Sequence, residues 1–381
     1  MERIIELKGR IDSSNSAERE TEIQGLVNGF QGEITFDASE LDYISSAGLR
    51  VILRVKKANP STKIINCNPE VYEIFDMTGF TEMMSISKAY RKISIDGCEV
   101  IGEGANGIVY RTDPDTIVKV YKNHDALEEI HNERELARKA FVMGIPTAIP
   151  YDVVQVGEYY GSVFELLNAT SFAKLIKAGA SVENIARQSV DILKTIHSTE
   201  LKPGELPSKK QESMKWVEFS KDCLPDEIGE KLLKMFNEIP ETNTMLHGDY
   251  HIKNIMQQNG ENLLIDMDTL SMGHPVYEFA AIYAAYIGFS CVDKNNAAEF
   301  FGITREQADD MWKYTVKYYF SDKNENYIDD VIRKAAIICY TRLLRWFSTK
   351  KSKEDAEAQQ IIAFCKNFLI ENVPLVDSLY F

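Results

Sequence analysis

The chain has 381 residues, long enough for two or three domains, and its 44% hydrophobic and 27% charged residues are typical of an ordinary globular protein. The formal net charge of −15 argues against nucleic acid or an anionic membrane as a partner, and no apolar run reaches the roughly 18 residues that span a bilayer. The six cysteines are scattered, with no C-x-x-C pair, and no secretory signal is visible, so we expect a cytoplasmic protein without a zinc or redox motif.

The first ninety residues alternate between strand and helix patterns. Their apolar spacing predicts strands over 4–7, 34–36 and 63–66 and helices over 14–30, 49–57 and 68–79. Such alternation favours a layered α/β domain over 1–90. We place the domain boundary where the pattern changes, near residue 91.

A glycine-rich segment follows this boundary. It has the form G-x-G-x-x-G-x-V, and its residues of interest are Gly102, Gly104, Asn106 and Gly107. A dinucleotide-binding fingerprint shares the three glycines but opens a helix, whereas a β-like run and an Asp-Pro-Asp turn follow here. The order strand, glycine loop, strand is that of a flap over nucleotide phosphates, because glycine lets backbone amides approach the phosphate oxygens. An ordinary hairpin with glycines in its turn is the open alternative.

The next strand and helix carry one charged residue each on an apolar face. Lys119 alternates with Ile117 and Tyr121 on a strand over 116–121, so it points inward and needs an anionic partner unless the strand is a half-exposed edge. A helix over 125–143 follows, with Asp125 as the expected N-cap. Its apolar face is formed by Leu127, Ile130, Ala137, Ala140 and Phe141.

Helical spacing places Glu133 on that apolar face and Glu135 on the solvent side. Lys119 is therefore the expected partner of Glu133.

Two later segments carry the remaining polar groups. In Leu246-His247-Gly248-Asp249-Tyr250-His251-Ile252-Lys253-Asn254, Asp249 and Asn254 are five residues apart, the spacing of a kinase catalytic loop. Asp266 ends the apolar run 263–265, where a carboxylate can hold Mg²⁺. Either segment alone could be a polar loop, but all five elements in this order favour ATP-dependent phosphoryl transfer.

Residues from about 93 onward resemble the aminoglycoside phosphotransferase and choline-kinase branch of the protein-kinase-like superfamily, through H-G-D-x-H-x-x-N at 247–254 and Ile265-Asp266. The resemblance implies a two-lobed α+β fold over 91–381, with a β-rich N-lobe over about 91–167 and a mainly helical C-lobe over about 168–381. It implies ATP and Mg²⁺ as cofactors. It implies catalytic roles for Asp249, Lys119 and Glu133, and metal binding by Asn254 and Asp266. The nucleotide would contact Gly102, Gly104, Asn106, Gly107, Lys119 and, at the adenine hinge, Glu165 and Leu166. Glu278 and Met267 depart from the family pattern, which has an Asp and often an aromatic residue there.

Residues 41–53 resemble the signature of STAS domains, the family of anti-sigma-factor antagonists. The resemblance covers about 1–90 and implies phosphorylation at Ser46, with an anti-sigma-factor-like or other STAS partner. A phosphate there would meet the free amides at the start of a helix. The alternative is that Ser45 and Ser46 only cap that helix.

Three functions remain open at this stage. The first is a kinase for a small-molecule hydroxyl substrate, favoured because only eleven residues separate Asp266 from Glu278 and leave no long peptide-docking segment. The second is a protein kinase that acts on a STAS serine, and the third is a non-catalytic nucleotide sensor. Aromatic and acidic residues near the C-terminus could bind a cationic substrate, although the aromatics are better explained as core: Trp312, Tyr314, Tyr318, Tyr319 and Trp346, with Asp322, Asp329 and Asp330.

Overall fold

The computed structural model describes residues 2–104, 106–291, 295–350 and 355–381. It divides into two compact units. One runs up to Asp96 and includes Val153–Tyr160, and the other comprises Gly97–Asp152 and Gly161–Phe381. The domain ranges 1–90, 91–167 and 168–381 stay predictions.

The first unit is built on a parallel sheet of four strands in the order β1-β2-β3-β4. Strands and helices alternate along the chain, as expected for a layered α/β domain. The elements are β1 (Glu2–Ile11), α1 (Ser16–Val27), β2 (Glu33–Ile44), α2 (Ser46–Ala58), β3 (Lys63–Cys67), α3 (Pro69–Met77), α4 (Phe80–Met83) and β4 (Ile86–Lys88). The predicted strands over 4–7 and 34–36 covered only part of β1 and the beginning of β2, because charged residues continue both strands on their exposed sides.

The start of α2 is fixed by two neighbouring features. The Ser45 hydroxyl accepts a hydrogen bond from the Ala47 N–H at 3.2 Å and so caps the helix. A Cβ on Gly48 would lie 2.7 Å from Ile44 and 2.8 Å from Ile11, so only glycine lets the first turn pack this closely on β1 and β2. The first turn of α2 is thereby held at the ends of these strands.

A short strand follows the parallel sheet. This strand, β5 (Arg91–Lys92), pairs in parallel with β9 (Asp152–Val156), matching Arg91 to Val154 and Lys92 to Gln155.

The second unit begins with antiparallel strands and one long helix: β6 (Glu99–Glu103), β7 (Gly107–Asp113), β8 (Thr116–Tyr121), α5 (Leu127–Val142) and β10 (Tyr159–Glu165). Strand β8 lies between β7 and residues 161–165 of β10. The predicted strand over 116–121 is confirmed. The predicted N-cap was wrong, because α5 starts after Ala126 without a side-chain cap, and Phe141 is 54% exposed rather than in the core.

The rest of this unit is mainly helical and encloses one large hydrophobic core. Its helices are α6 (Phe172–Lys177), α7 (Val182–His197), α8 (Lys209–Lys221), α9 (Asp226–Glu238), α10 (Val276–Tyr283), α11 (Arg305–Tyr319), α12 (Glu325–Lys350) and α13 (Ala356–Asn372). Its short strands are β11 (Thr170–Ser171), β12 (Met245–Leu246), β13 (Ile255–Gln258), β14 (Glu261–Leu264) and β15 (Ser271–Met272). Strands β13 and β14 form the hairpin expected between Asn254 and Ile265.

Candidate active site

The glycine-rich loop connects β6 to β7 and is closed by backbone hydrogen bonds. The Gly104 N–H donates to the Gly107 carbonyl at 2.9 Å, and the Lys122 N–H donates to the Asn106 carbonyl at 3.0 Å. A Cβ on Gly107 would lie 2.7 Å from the Val120 carbonyl, whereas the nearest atoms to a Cβ on Gly102 or Gly104 are 3.9 and 4.0 Å away. The protein itself therefore requires glycine only at Gly107, and a ligand close to the backbone would explain the other two.

A cluster of charged side chains around the buried Glu133 lies next to this loop. Lys119 Nζ lies 3.0 Å from Glu133 Oε1 and 3.3 Å from Asp266 Oδ1, and the predicted pairing of Lys119 with Glu133 is confirmed. The Tyr121 hydroxyl also donates a hydrogen bond to Glu133, a contact that the sequence pattern did not predict. Burial alone would lower the pKa of Lys119, but the charges of Glu133 and Asp266 raise it overall, so the ammonium stays charged.

Asp249 and Asn254 lie together in the loop between β12 and β13. Asn254 Nδ2 donates to the Asp249 carbonyl at 3.0 Å and to Asp249 Oδ2 at 3.3 Å, while His251 Nε2 lies 3.4 Å from the same carboxylate oxygen. Burial would raise the pKa of Asp249, but the contact with His251 and the charges of His247 and Arg342 lower it overall. Asp249 is therefore an ionised carboxylate that can accept a hydrogen bond.

Glu278 fixes the backbone of this loop from α10. Its fully buried carboxylate accepts the N–H of His247 at 2.6 Å and of Gly248 at 2.9 Å, and His197 Nε2 lies 3.8 Å away. Gly248 has a φ of +83°, and a Cβ there would lie 2.5 Å from the Thr269 carbonyl. Glu278 stands where the family pattern has an aspartate, and it still provides a carboxylate that holds the Asp249 loop in place.

Three oxygen-bearing side chains form the candidate cation site. Asp266 adopts the left-handed region with a φ of +64°, and Asp268 follows it within a short 3-10 turn. Burial and the charge of Asp266 raise the pKa of Asp268 to about 7, although Lys119 acts in the opposite direction, so Lys119 does not fully compensate the two carboxylates. Because Asn254 directs its Nδ2 toward Asp249, its Oδ1 is left for a metal. Carboxylate and amide oxygens are the donors that Mg²⁺ prefers, so the residues fit this ion.

The donor set for that ion depends on Asn254. Among the described residues, no group of three or more His, Cys, Asp or Glu side chains could hold a metal ion. Asp268 was not predicted from the sequence. Its Oδ2 lies 3.5 Å from Nδ2 of Asn106 in the glycine-rich loop.

The hinge after β10 differs from the expectation in one respect. The Leu166 N–H donates to the Asp115 carbonyl at 2.8 Å, so it is occupied and cannot also bind an adenine ring. Glu165 is exposed and Leu167 is half-buried. The backbone groups of Glu165 and Leu167 flank the Leu166 N–H, which is occupied by its hydrogen bond to Asp115.

Comparison with known proteins agrees with this geometry. The family model described as the phosphotransferase enzyme family matches residues 97–308, more than half of the chain. The chain belongs to the phosphotransferase enzyme family. A second family model, that of the STAS domain, matches residues 2–93. The chain is 33% identical over 87 residues to BtrV of Bordetella bronchiseptica, described as an anti-sigma factor antagonist. These 87 residues make up 22% of this phosphotransferase and 75% of the relative.

Solved structures share the fold of the phosphotransferase unit. A thermostable mutant of the aminoglycoside phosphotransferase APH(4)-Ia, in its apo form, aligns with a TM-score of 0.50 and 12% identity over 73% of this chain and 94% of its own. A variant of that protein in a ternary complex with ADP and hygromycin B gives a TM-score of 0.50 and 11% identity over 73% and 93%. These identities establish the kinase-like fold alone.

The C-terminal aromatics of the phosphotransferase are mostly structural. Trp312 is 6% exposed, and the ring of Tyr319 lies 4.8 Å from that of Phe279 in the core. Tyr318 donates a hydrogen bond to Glu183, and Asp330 pairs with Lys334 at 2.7 Å. The core explanation is therefore right for Trp312 and Tyr319, whereas Trp346 is 41% exposed.

The two serines of the STAS signature differ in their surroundings. Ser45 is the N-cap of α2, whereas Ser46 is exposed in the first turn, and no hydrogen bond of its hydroxyl is found in the described part of the chain. The capping alternative thus applies to Ser45 and not to Ser46. Across the described ranges, no helix has the length and apolar character to cross a membrane.

Proposed function

We propose that this chain transfers the γ-phosphate of ATP to the hydroxyl group of a small-molecule acceptor, with Mg²⁺ as the metal and with Asp249 as the catalytic carboxylate. The observation that carries the proposal is that two contacts occur in the same site. Lys119 Nζ lies 3.3 Å from Asp266 Oδ1, and Asn254 Nδ2 donates to the Asp249 carbonyl at 3.0 Å. These are the side chains that phosphoryl transfer requires.

Asp249 would orient the acceptor and take its proton. The hydroxyl oxygen forms a bond to the γ-phosphorus, the bond from that phosphorus to the bridging oxygen of the β-phosphate breaks, and ADP leaves. The hydroxyl proton passes to Asp249. Because interactions with His251, His247 and Arg342 keep the pKa of this carboxylate low, proton transfer is expected late in the step, when the hydroxyl oxygen is already bonded to phosphorus.

The nucleotide would be held from three sides. The amides of the glycine-rich loop and Lys119 would contact its phosphates, and the free space beside Gly102 and Gly104 supports that approach. The Glu165 carbonyl and the Leu167 N–H would bind the base. Asn254 and Asp266, with Asp268, would hold Mg²⁺, which neutralises phosphate charge in reactions of this class.

Transfer of radiolabelled phosphate from ATP tests the proposal. The wild-type chain should consume ATP only when Mg²⁺ is supplied, and Asp266→Asn should lose this activity while its thermal unfolding midpoint is unchanged. If the wild type bound ATP but never turned it over, the non-catalytic sensor would be the better explanation.

The exposed Ser46 favours a second candidate, a protein kinase that acts on a STAS serine in the same or another copy. The STAS domain would then act as a regulatory module, with phosphate at Ser46 changing its contacts with an anti-sigma-factor-like partner. Radiolabelled ATP would be given to the wild type, Ser46→Ala and, as the matched control, Ser45→Ala. Loss of label in Ser46→Ala alone would support this candidate, and equal labelling of all three would remove Ser46 as the target.

A further inference from the structure

The segment after α10 brings a partly exposed aromatic ring to the loop that carries Asp249. The ring centroid of Phe300 lies 5.3 Å from that of His251, and His251 Nε2 lies 3.4 Å from Asp249 Oδ2. Phe300 is 44% exposed, and the ring of Phe301 packs against it with 4.7 Å between the centroids. Two direct contacts therefore connect an accessible apolar surface to the carboxylate that would meet the acceptor.

The chain around this ring contains two π-helical turns, Ala284–Gly288 and Ala297–Phe301. The hydroxyl of Tyr286, in the first turn, accepts a hydrogen bond from the Ile252 N–H at 3.1 Å. The ring of Tyr286 also lies 5.3 Å from that of Phe301, so the first turn supports the second. Because π-helical turns are rare and occur frequently at functional sites, this packing against the Asp249 loop supports a binding role for the surface.

A lysine of the same loop lies over the Phe300 ring. Lys253 Nζ is 4.3 Å from the ring centroid, and Lys253 directly precedes Asn254, whose side chain donates to the Asp249 carbonyl. Stacking on an aromatic face holds an ammonium in place without neutralising it. The ring and the ammonium therefore form one surface beside Asp249.

No carboxylate pairs with Lys253 in the ranges of the chain that the structure describes. Other lysines with little exposure in the same unit do have such partners. Lys209 pairs with Glu212 at 2.7 Å, and Lys334 pairs with Asp330 at 2.7 Å. In a chain with a net charge of −15, the half-buried ammonium of Lys253 is therefore a cation that lacks its anion.

We propose that Lys253 and Phe300 form the acceptor site, and that the acceptor carries an anionic group, a carboxylate or a phosphate, in addition to the hydroxyl that receives the phosphoryl group. The inference rests on the proposed function, because it concerns the substrate of the same reaction. Lys253 would bind the anion as a compact point charge, and Phe300 would cover the carbon frame. An ammonium-bearing acceptor would be repelled by Lys253, so the inference opposes the cationic substrate that the C-terminal aromatics first indicated.

The test uses acceptors that share a carbon frame and differ in charge. Gluconate, glucose and glucosamine form a six-carbon set, and glycerate, glycerol and aminopropanediol form a three-carbon set. Glycerol phosphate is added to distinguish a phosphate from a carboxylate. Transfer of radiolabel from ATP is measured for the wild type and for Lys253→Gln, Lys253→Arg and Lys317→Gln. Lys317 is the matched control, because it is a lysine on α11 whose Nζ also lies over an aromatic ring, 5.7 Å from the centroid of Tyr314.

We expect the wild type to favour an anionic acceptor in kcat/KM by about tenfold or more over its neutral counterpart. In Lys253→Gln this ratio should fall to about one through a higher KM for the anionic acceptor, whereas Lys253→Arg, which keeps the charge, should retain most of the preference. Lys317→Gln should behave like the wild type. Because the ratio compares two acceptors of the same variant, a general loss of activity does not change it.

An unchanged ratio in Lys253→Gln would overturn the inference, and so would a wild-type preference for the neutral or ammonium compounds. ATP hydrolysis without transfer to any anionic acceptor would overturn it as well. Absence of any ATP turnover in the wild type would instead contradict the proposed function itself.

Discussion

The carboxylate of Glu278 accepts the backbone N–H of Gly248 at 2.9 Å, although the two residues are thirty positions apart in sequence. With the second hydrogen bond from His247 at 2.6 Å, this contact connects α10 to the loop that carries Asp249. Both donors are buried, so the carboxylate satisfies groups that water cannot reach. The geometry of the loop that carries Asp249 thus depends on a residue outside it.

Replacement of this carboxylate should destabilise the whole unit. In Glu278→Gln the amide keeps one acceptor oxygen but directs an NH₂ group toward the second backbone donor, and leaving a buried donor unpaired costs about 2 kcal/mol. Urea denaturation should show this loss with an unchanged m-value. Glu278→Asp, which restores the residue typical of the family, serves as control and should lose less. A Gln variant as stable as the wild type would contradict the anchoring role.

The same carboxylate predicts a pH dependence of stability. Burial would raise the pKa of Glu278, but the contacts with His197, His247 and Gly248 lower it below its ordinary value of 4.5. A lowered pKa in the folded state stabilises the protein above the unfolded pKa, and this contribution is lost as the pH falls through the folded pKa. The difference in unfolding free energy between the wild type and Glu278→Gln should therefore be largest near neutral pH and shrink below about pH 4.5. A difference that grew on acidification would contradict the direction of the shift.

Two glycines of the glycine-rich loop, Gly104 and Gly107, should respond differently to replacement by alanine. Gly107→Ala places a Cβ 2.7 Å from the Val120 carbonyl, so β7 or β8 must shift, at a cost of about 1–3 kcal/mol. Gly104→Ala meets its nearest atom at 4.0 Å and should leave the stability within about 0.5 kcal/mol of the wild type. Its ATP affinity should nevertheless fall, because the added methyl group would face the phosphates. Thermal unfolding and nucleotide titration of the two variants separate these effects, and unchanged ATP affinity in Gly104→Ala would argue against phosphate binding by this loop.

The adjacent STAS serines form a matched pair for stability. Ser45→Ala removes the cap of α2 and should cost about 1 kcal/mol, whereas Ser46→Ala removes an exposed hydroxyl and should change stability by less than about 0.5 kcal/mol. Chemical denaturation of the two variants measures this difference directly. The reverse order of stabilities would mean that Ser46 is the structural serine.

Local patterns predicted the elements whose neighbours in sequence decide their structure. The strand Thr116–Tyr121 has the predicted bounds, and helical spacing selected Glu133 over Glu135 because burial follows the face of the helix. Local capping rules failed at Asp125, where α5 begins only at Leu127.

The contacts that sequence reasoning missed are long-range. The partner of the Leu166 N–H is Asp115, in the turn between β7 and β8, and no spacing rule indicates that this donor is occupied. Arg342 likewise lies far from Asp249 in the chain, and only the packing of α12 against α8 shows that its guanidinium lies over Trp216. Tertiary packing decides both, so neither could be predicted from a single sequence.

The turnover of ATP by Asp249→Asn tests the central claim most directly. Asparagine keeps the shape of the side chain but cannot take the proton, so kcat should fall by about 10²–10⁴-fold while ATP still binds with nearly unchanged affinity. Release of ADP, measured at saturating ATP and Mg²⁺ for the wild type and the variant, gives this ratio. A variant that turns over ATP within about tenfold of the wild type would contradict the assignment of Asp249 as the catalytic carboxylate.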